Sequence, residues 1–201
     1  MTFAVVDPQI KEAVRLLKQG GLIAFPTETY YGLGVDPFNK EALQRLFRVK
    51  QRTVDKAVLV LVADKSQVKL FADSEPVGFN DLMTGFWPGP LTLVFPARST
   101  LPELLTGGTG TVGIRQSPDR TASRLLREYS GPITATSANR SGALPATTAA
   151  EVNEIFGSDV DLVLDGGATP GGQGSTLVGY DHGIFCIRPG KIPFETILNS
   201  L

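Results

Sequence analysis

The stretch IAFPTETYYGLGVDP, Ile23 to Pro37, runs from short apolar strand-like sequence straight into hydroxyls, a carboxylate, two tyrosines and two glycines. An apolar run as short as LIAFP (22–26) falls below helix length and reads as a buried strand. Upstream, Asp7-Pro8 offers an N-cap and a proline for the first helical position, and Ile10, Ala13, Val14 and Leu17 follow at helical spacing until Gly20-Gly21. Downstream, Asn39 caps a helix over 40–50 whose Ala42, Leu43, Leu46 and Phe47 face inward. AVLVLV (57–62) then reads as a strand covered on both faces. The quoted stretch therefore lies at a strand end in an α/β arrangement, where ligands usually bind.

The alternation continues. A helix over 77–86 is stopped by WPGP (87–90), and LTLVFPA (91–97) is a further strand. TVGIR (111–115) and ITATS (133–137) read as strands on either side of a helix at 118–129, with Ala122, Leu125 and Leu126 as its apolar face. Thr148 caps AAEVNEIFG; 160–165, 175–180 and 184–188 are short strands, the last two a hairpin across 181–183. A parallel-type first half with an antiparallel tail predicts an α/β fold: one mixed sheet carrying helices, in a single domain over 1–201.

With 42% hydrophobic and 19% charged residues in 201, the chain has enough apolar material for a full core. A formal charge of −1 argues against a large basic face for wrapping nucleic acid, though not against local patches. One cysteine, Cys186, can form no internal disulfide and no cysteine-based zinc site, and no leader or spanning segment is evident, so a cytoplasmic protein without membrane contact is expected.

Three polar groups carry the chemistry. Thr27, Glu28, Thr29, Tyr30 and Tyr31 form either a small-ligand loop or a tight turn whose threonines cap their own backbone. Arg45, Arg48, Lys50, Arg52 and Lys56, against Asp55 alone, face a phosphate-rich ligand, RNA phosphate, or only solvent at a helix end. ATSANRSG (135–142), TVGIR and GGQGSTLV (171–178) add Ser137, Asn139, Ser141, Ser175 and Arg115 to glycines whose amides can form an anion nest; as a plain glycine loop the signal is weak. None of these is a Walker A motif. His182, the sole histidine, falls in a turn, while Cys186 and Trp87 read as packing residues.

Taken in order, FPTETYYGLG, VKQRTVDK, WPGPLTLV, TVGIR, TSANRSG, GSTLV and IRPG resemble the motif series of the YrdC/Sua5 family, the threonylcarbamoyl-AMP synthases. The resemblance implies a twisted sheet of parallel and antiparallel strands, flanked by helices, with a basic concave cleft. It implies conversion of L-threonine, bicarbonate and ATP, the last carrying Mg²⁺, to threonylcarbamoyl-AMP and pyrophosphate, the first step toward the N6-threonylcarbamoyl group of tRNA adenosine 37. It further implies a downstream threonylcarbamoyl transferase complex as partner, and double-stranded RNA or tRNA as a ligand. The length is that of the short bacterial form, without the extra C-terminal domain of longer members.

Residue by residue, the family pattern places Thr29, Arg115 and Ser175 at threonine. It places Lys50, Arg52, Lys56, Thr111, Ser137, Asn139 and Arg188 at ATP, with Lys50 and Arg52 catalytic. Two positions depart from it: Thr53 stands where many members have proline, and Leu61 where some have a threonine-contacting histidine. An RNA-binding module without turnover and a carbamoyl-adenylate-forming relative are the alternatives.

Overall fold

Asp7 accepts the Gln9 amide at 2.9 Å and Pro8 fills the first helical position, so α1 (Pro8–Lys18) begins where its capping chemistry dictates. The computed structural model describes residues 7–201; the leaderless reading of the first six residues lies outside them. β1 (Ile23–Phe25) and β2 (Gly32–Gly34) form an antiparallel hairpin with Ala24 opposite Leu33. Gly32 and Gly34 are themselves strand residues. Their lack of a side chain lets strands close up: a Cβ on Gly34 would lie 2.6 Å from the Phe25 ring and 2.7 Å from both Ile133 and the Thr134 carbonyl.

α2 (Lys40–Lys50) starts where Asn39 accepts the Ala42 amide at 3.0 Å. β3 (Val60–Leu61), α3 (Phe79–Phe86), β4 (Leu91–Pro96), α4 (Glu103–Thr106), β5 (Thr111–Arg115) and α5 (Arg120–Tyr129) follow. β6 (Ile133–Thr134), β7 (Thr136–Ser137), α6 (Ala149–Phe156), β8 (Leu162–Val163), β9 (Thr176–Tyr180), β10 (Ile184–Arg188) and α7 (Phe194–Leu198) complete the order. Thr148 and Glu151 cap α6 reciprocally, and β9 and β10 form the expected hairpin with His182 at its exposed turn.

The strands are mixed in direction, as expected, but build two sheets rather than one. The first has the order β7-β2-β1-β8 and the second β10-β9-β4-β5-β3-β6, each with parallel and antiparallel pairs. The expected strand 133–137 breaks in the middle and joins them: β6 pairs with β3 in one sheet, β7 with β2 in the other. Between them the Ala135 amide donates to Leu59 O at 2.7 Å. The expected strand 57–62 shrinks to β3, because Val58 instead donates its amide to Leu105 O at the end of α4, at 2.9 Å.

Alternation along the central strands sets the core. Leu91, Leu93 and Phe95 of β4 and Val112 and Ile114 of β5 are fully buried on one face of the six-stranded sheet. A second cluster packs α1 and α5 against Ile23, Phe25, Ile133 and Leu61. Leu61 thus belongs to the core under α1 and α5. Cys186, expected inside, is only half-buried, because β10 is an edge strand. Trp87 is buried as expected, its indole donating to Leu91 O at 2.7 Å. Among the described residues, no helix is long and apolar enough to cross a membrane.

Candidate functional site

The faces of β4 and β5 turned away from the core carry Thr92, Val94, Thr111, Gly113 and Arg115, and these form the floor of a cavity of about 600 Å³. That volume suits a small-molecule site. Its walls come from both sheets and the segments between them: Thr27, Thr29, Tyr30 and Tyr31 after β1, Arg52 and 57–59 before β3, 135–137, and Gln173–Ser175 leading into β9 with Arg188 at the end of β10. The described residues lining it include three arginines and no carboxylate.

The two readings of the hydroxyl loop divide between its threonines. Thr27 Oγ1 donates to Tyr30 O at 2.7 Å and accepts the Thr29 amide at 3.3 Å, capping its own turn. Thr29, also buried, lies on the cavity wall with its hydroxyl 3.0 Å from that of Thr27. The glycine-rich segment 166–174 is strapped to this loop: the Tyr31 hydroxyl donates to Gly167 O at 2.8 Å, Tyr30 to Gly172 O at 2.6 Å, and the Gly171 amide to Thr29 O at 2.8 Å. Ser175 shares a 2.7 Å hydrogen bond with Thr92, which sets its hydroxyl on the cavity floor.

Of the cations expected at phosphate, two line the cavity and two do not. Arg52 does, with Nε and Nη2 donating to Lys56 O and Ala57 O at 3.1 and 2.6 Å. These bonds close the loop that carries Thr53 without a proline. Arg188 does, donating to Ser175 O at 3.1 Å. Lys56 is exposed and contributes only its carbonyl to Arg52. Lys50, 2% exposed, lies behind the wall, where Nζ donates to Ser137 O at 2.5 Å, Asn139 Oδ1 at 2.8 Å and Asn139 O at 3.0 Å.

Ser137 faces the cavity and donates to Asn139 Oδ1 at 2.6 Å; Asn139 itself lies behind, its amide nitrogen donating to Ala143 O at 2.7 Å and Arg140 O at 3.1 Å. Lys50 and Asn139 therefore brace the loop that presents Ser137. Burial, with Arg52 nearby, lowers the Lys50 pKa to about 7, although three oxygen acceptors on Nζ favour its ammonium form.

Arg115, 3% exposed, ends β5 with Nη1 donating to Glu28 Oε1 at 2.6 Å; the other carboxylate oxygen of Glu28 accepts the Ser117 hydroxyl. Its Nε is buried without a partner. Burial lowers the Arg115 pKa, with Glu28 opposing and Arg188 reinforcing the shift; burial likewise lowers Arg52 and Arg188. Thr92, Gly113 and Glu28 have structural roles that the motif reading did not assign. Alternation in LTLVFP and TVGIR marks the first two, whereas Glu28 meets a partner 87 residues away that no local pattern reveals.

Residues 15–190 match the Sua5/YciO/YrdC family model, described as telomere recombination. The threonylcarbamoyl-AMP synthase of Pyrococcus abyssi is 37% identical over 190 residues, covering 94% of this chain and 56% of its own length. That of Idiomarina loihiensis is 40% identical over 156 residues, covering 77% of this chain and 84% of its own. Among solved structures, Pyrococcus abyssi Sua5 complexed with L-threonine superposes with a TM-score of 0.92 at 36% identity, over 96% of this chain and 57% of that one. The chain thus spans little more than half of the archaeal protein and most of the bacterial one.

Proposed function

The chain belongs to the Sua5/YciO/YrdC family, and on that footing we propose that it is a threonylcarbamoyl-AMP synthase, joining L-threonine, bicarbonate and ATP with release of pyrophosphate. One observation carries the reading: a single cavity gathers Arg52, Arg115 and Arg188 with the hydroxyls of Thr29, Thr111, Ser137 and Ser175 from segments far apart in sequence. A triphosphate and a small hydroxy amino acid together call for those groups.

Arg115 would take the threonine carboxylate, with Thr29 and Ser175 beside it. Arg52 and Arg188 would take the phosphates, and Thr111 and Ser137 the rest of the nucleotide. Mg²⁺ would arrive on ATP, held chiefly by the phosphates. The threonine amine and bicarbonate form an N-carboxylate and water; a carbamate oxygen then bonds to the α-phosphorus as the bond to pyrophosphate breaks. Catalysis is positioning and charge stabilisation on the departing pyrophosphate. Lys50 and Asn139 act from behind, by holding the Ser137 loop. The product would pass, in the cytoplasm, to a transferase complex modifying tRNA adenosine 37.

The test is to incubate the purified chain with Mg²⁺, ATP and bicarbonate, with and without L-threonine, and to measure pyrophosphate and the mass of any new nucleotide. Threonine-dependent pyrophosphate with a nucleotide of threonylcarbamoyl-AMP mass is expected. A threonine-independent nucleotide would indicate carbamoyl-adenylate chemistry, and no turnover with salt-sensitive RNA binding would indicate a binding module.

A further inference from the structure

We propose that Glu28 is a specificity-determining residue: by neutralising Arg115 it makes the amino-acid pocket accept zwitterions and reject simple carboxylate anions. The inference rests on the reading of Arg115 as the threonine carboxylate site.

Glu28 does not line the cavity; it stands behind Arg115, and its position is fixed from several elements. Its carboxylate accepts from Arg115 Nη1 at 2.6 Å and from Ser117, which also accepts the Asp119 amide at 3.2 Å at the start of α5. Its backbone carbonyl accepts Lys191 Nζ at 3.0 Å from the segment after β10. The Arg115 and Glu28 side chains are 4% and 12% exposed, so the pair sits in surroundings where solvent screens weakly. Arg115 nonetheless retains donors for a ligand, and its buried Nε has no acceptor.

A carboxylate arriving at Arg115 therefore meets a pair of opposite charges rather than a lone cation. An amino acid brings its own ammonium, whose attraction to Glu28 offsets part of what its carboxylate loses. A carboxylic acid without the amine keeps the attraction to Arg115, weakened by Glu28, and has no such offset. A unit charge about 6 Å away at a site of this kind shifts binding by on the order of tenfold to a hundredfold.

The experiment measures, by calorimetry with a saturating non-hydrolysable ATP analogue filling the phosphate sites, the dissociation constants of L-threonine and of (R)-3-hydroxybutyrate. The latter keeps the threonine carboxylate and hydroxyl but lacks the amine. In the unmodified protein hydroxybutyrate should bind weaker by about tenfold or more. In Glu28→Gln that preference should fall by about tenfold or more, while Glu28→Asp should keep it within about threefold of the original. A structural role alone would weaken both ligands together and leave the ratio unmoved. Equal affinities in the unmodified protein, or an unchanged ratio in Glu28→Gln, would overturn the inference; the first measurement needs no variant to fold. Failure of the unmodified protein to bind threonine at all would instead sink the underlying reading, and this inference with it.

Discussion

Lys50 sits between opposed influences: burial beside Arg52 disfavours its charge, while three oxygen acceptors stabilise it. Its pKa is about 7 in the folded protein against an ordinary value of 10.5. Between those values the unfolded chain binds more protons than the fold, so the contribution of Lys50 to stability rises with pH, and its full cost is present below about 7. Chemical denaturation of the unmodified protein and of Lys50→Met should therefore show the difference moving in favour of the lysine between pH 7 and 9, by on the order of 1 kcal/mol per pH unit at most. A difference independent of pH would mean that the oxygen cage keeps the ammonium charged throughout. The residue types at the site are plain in the sequence, since Thr29, Arg52, Arg115, Ser175 and Arg188 all reach the cavity. The sequence cannot tell which side of a loop each one takes. Lys50 and Asn139 stand behind the wall because a helix end and a loop close on one another, a matter of tertiary packing alone.

At the scale of elements, the hairpin of β1 and β2 depends on the absence of a side chain at Gly34. In Gly34→Ala the new Cβ would come within 2.7 Å of the Thr134 carbonyl as well as Phe25 and Ile133, and backbone yields little. Gly32, whose nearest such neighbour is 3.7 Å away, has room. Urea denaturation should show Gly34→Ala destabilised by about 2 kcal/mol or more and Gly32→Ala by less than about 1 kcal/mol; similar values for the two would refute the close-approach account. Long helices with caps, such as α1, α2 and α6, are legible because capping residues and 3.6-residue spacing act locally. The division of 133–137 between two sheets is not, because it depends on remote partners, Val60 and Leu61 for one half and Gly32 and Leu33 for the other. α4 and α7, four and five residues long, are too short for any periodicity to declare them.

At the scale of the molecule, the two sheets and the loops between them create the cavity. The core faces of β4 and β5 hold the second sheet together while their outer faces furnish the floor, so folding and binding draw on alternate residues of the same strands. Motif order in the sequence anticipates which segments meet, and the strand ends place them; the bracing by Glu28, Lys50 and Asn139 emerges only from the assembled fold. On the proposed function, this one cavity would hold an amino acid and a nucleotide side by side. A crystal structure of the chain with L-threonine and a non-hydrolysable ATP analogue tests it most directly. The threonine carboxylate is expected on Arg115, near Thr29 and Ser175, with the triphosphate on Arg52 and Arg188. Either ligand bound elsewhere, with the cavity arginines uncontacted, would contradict it.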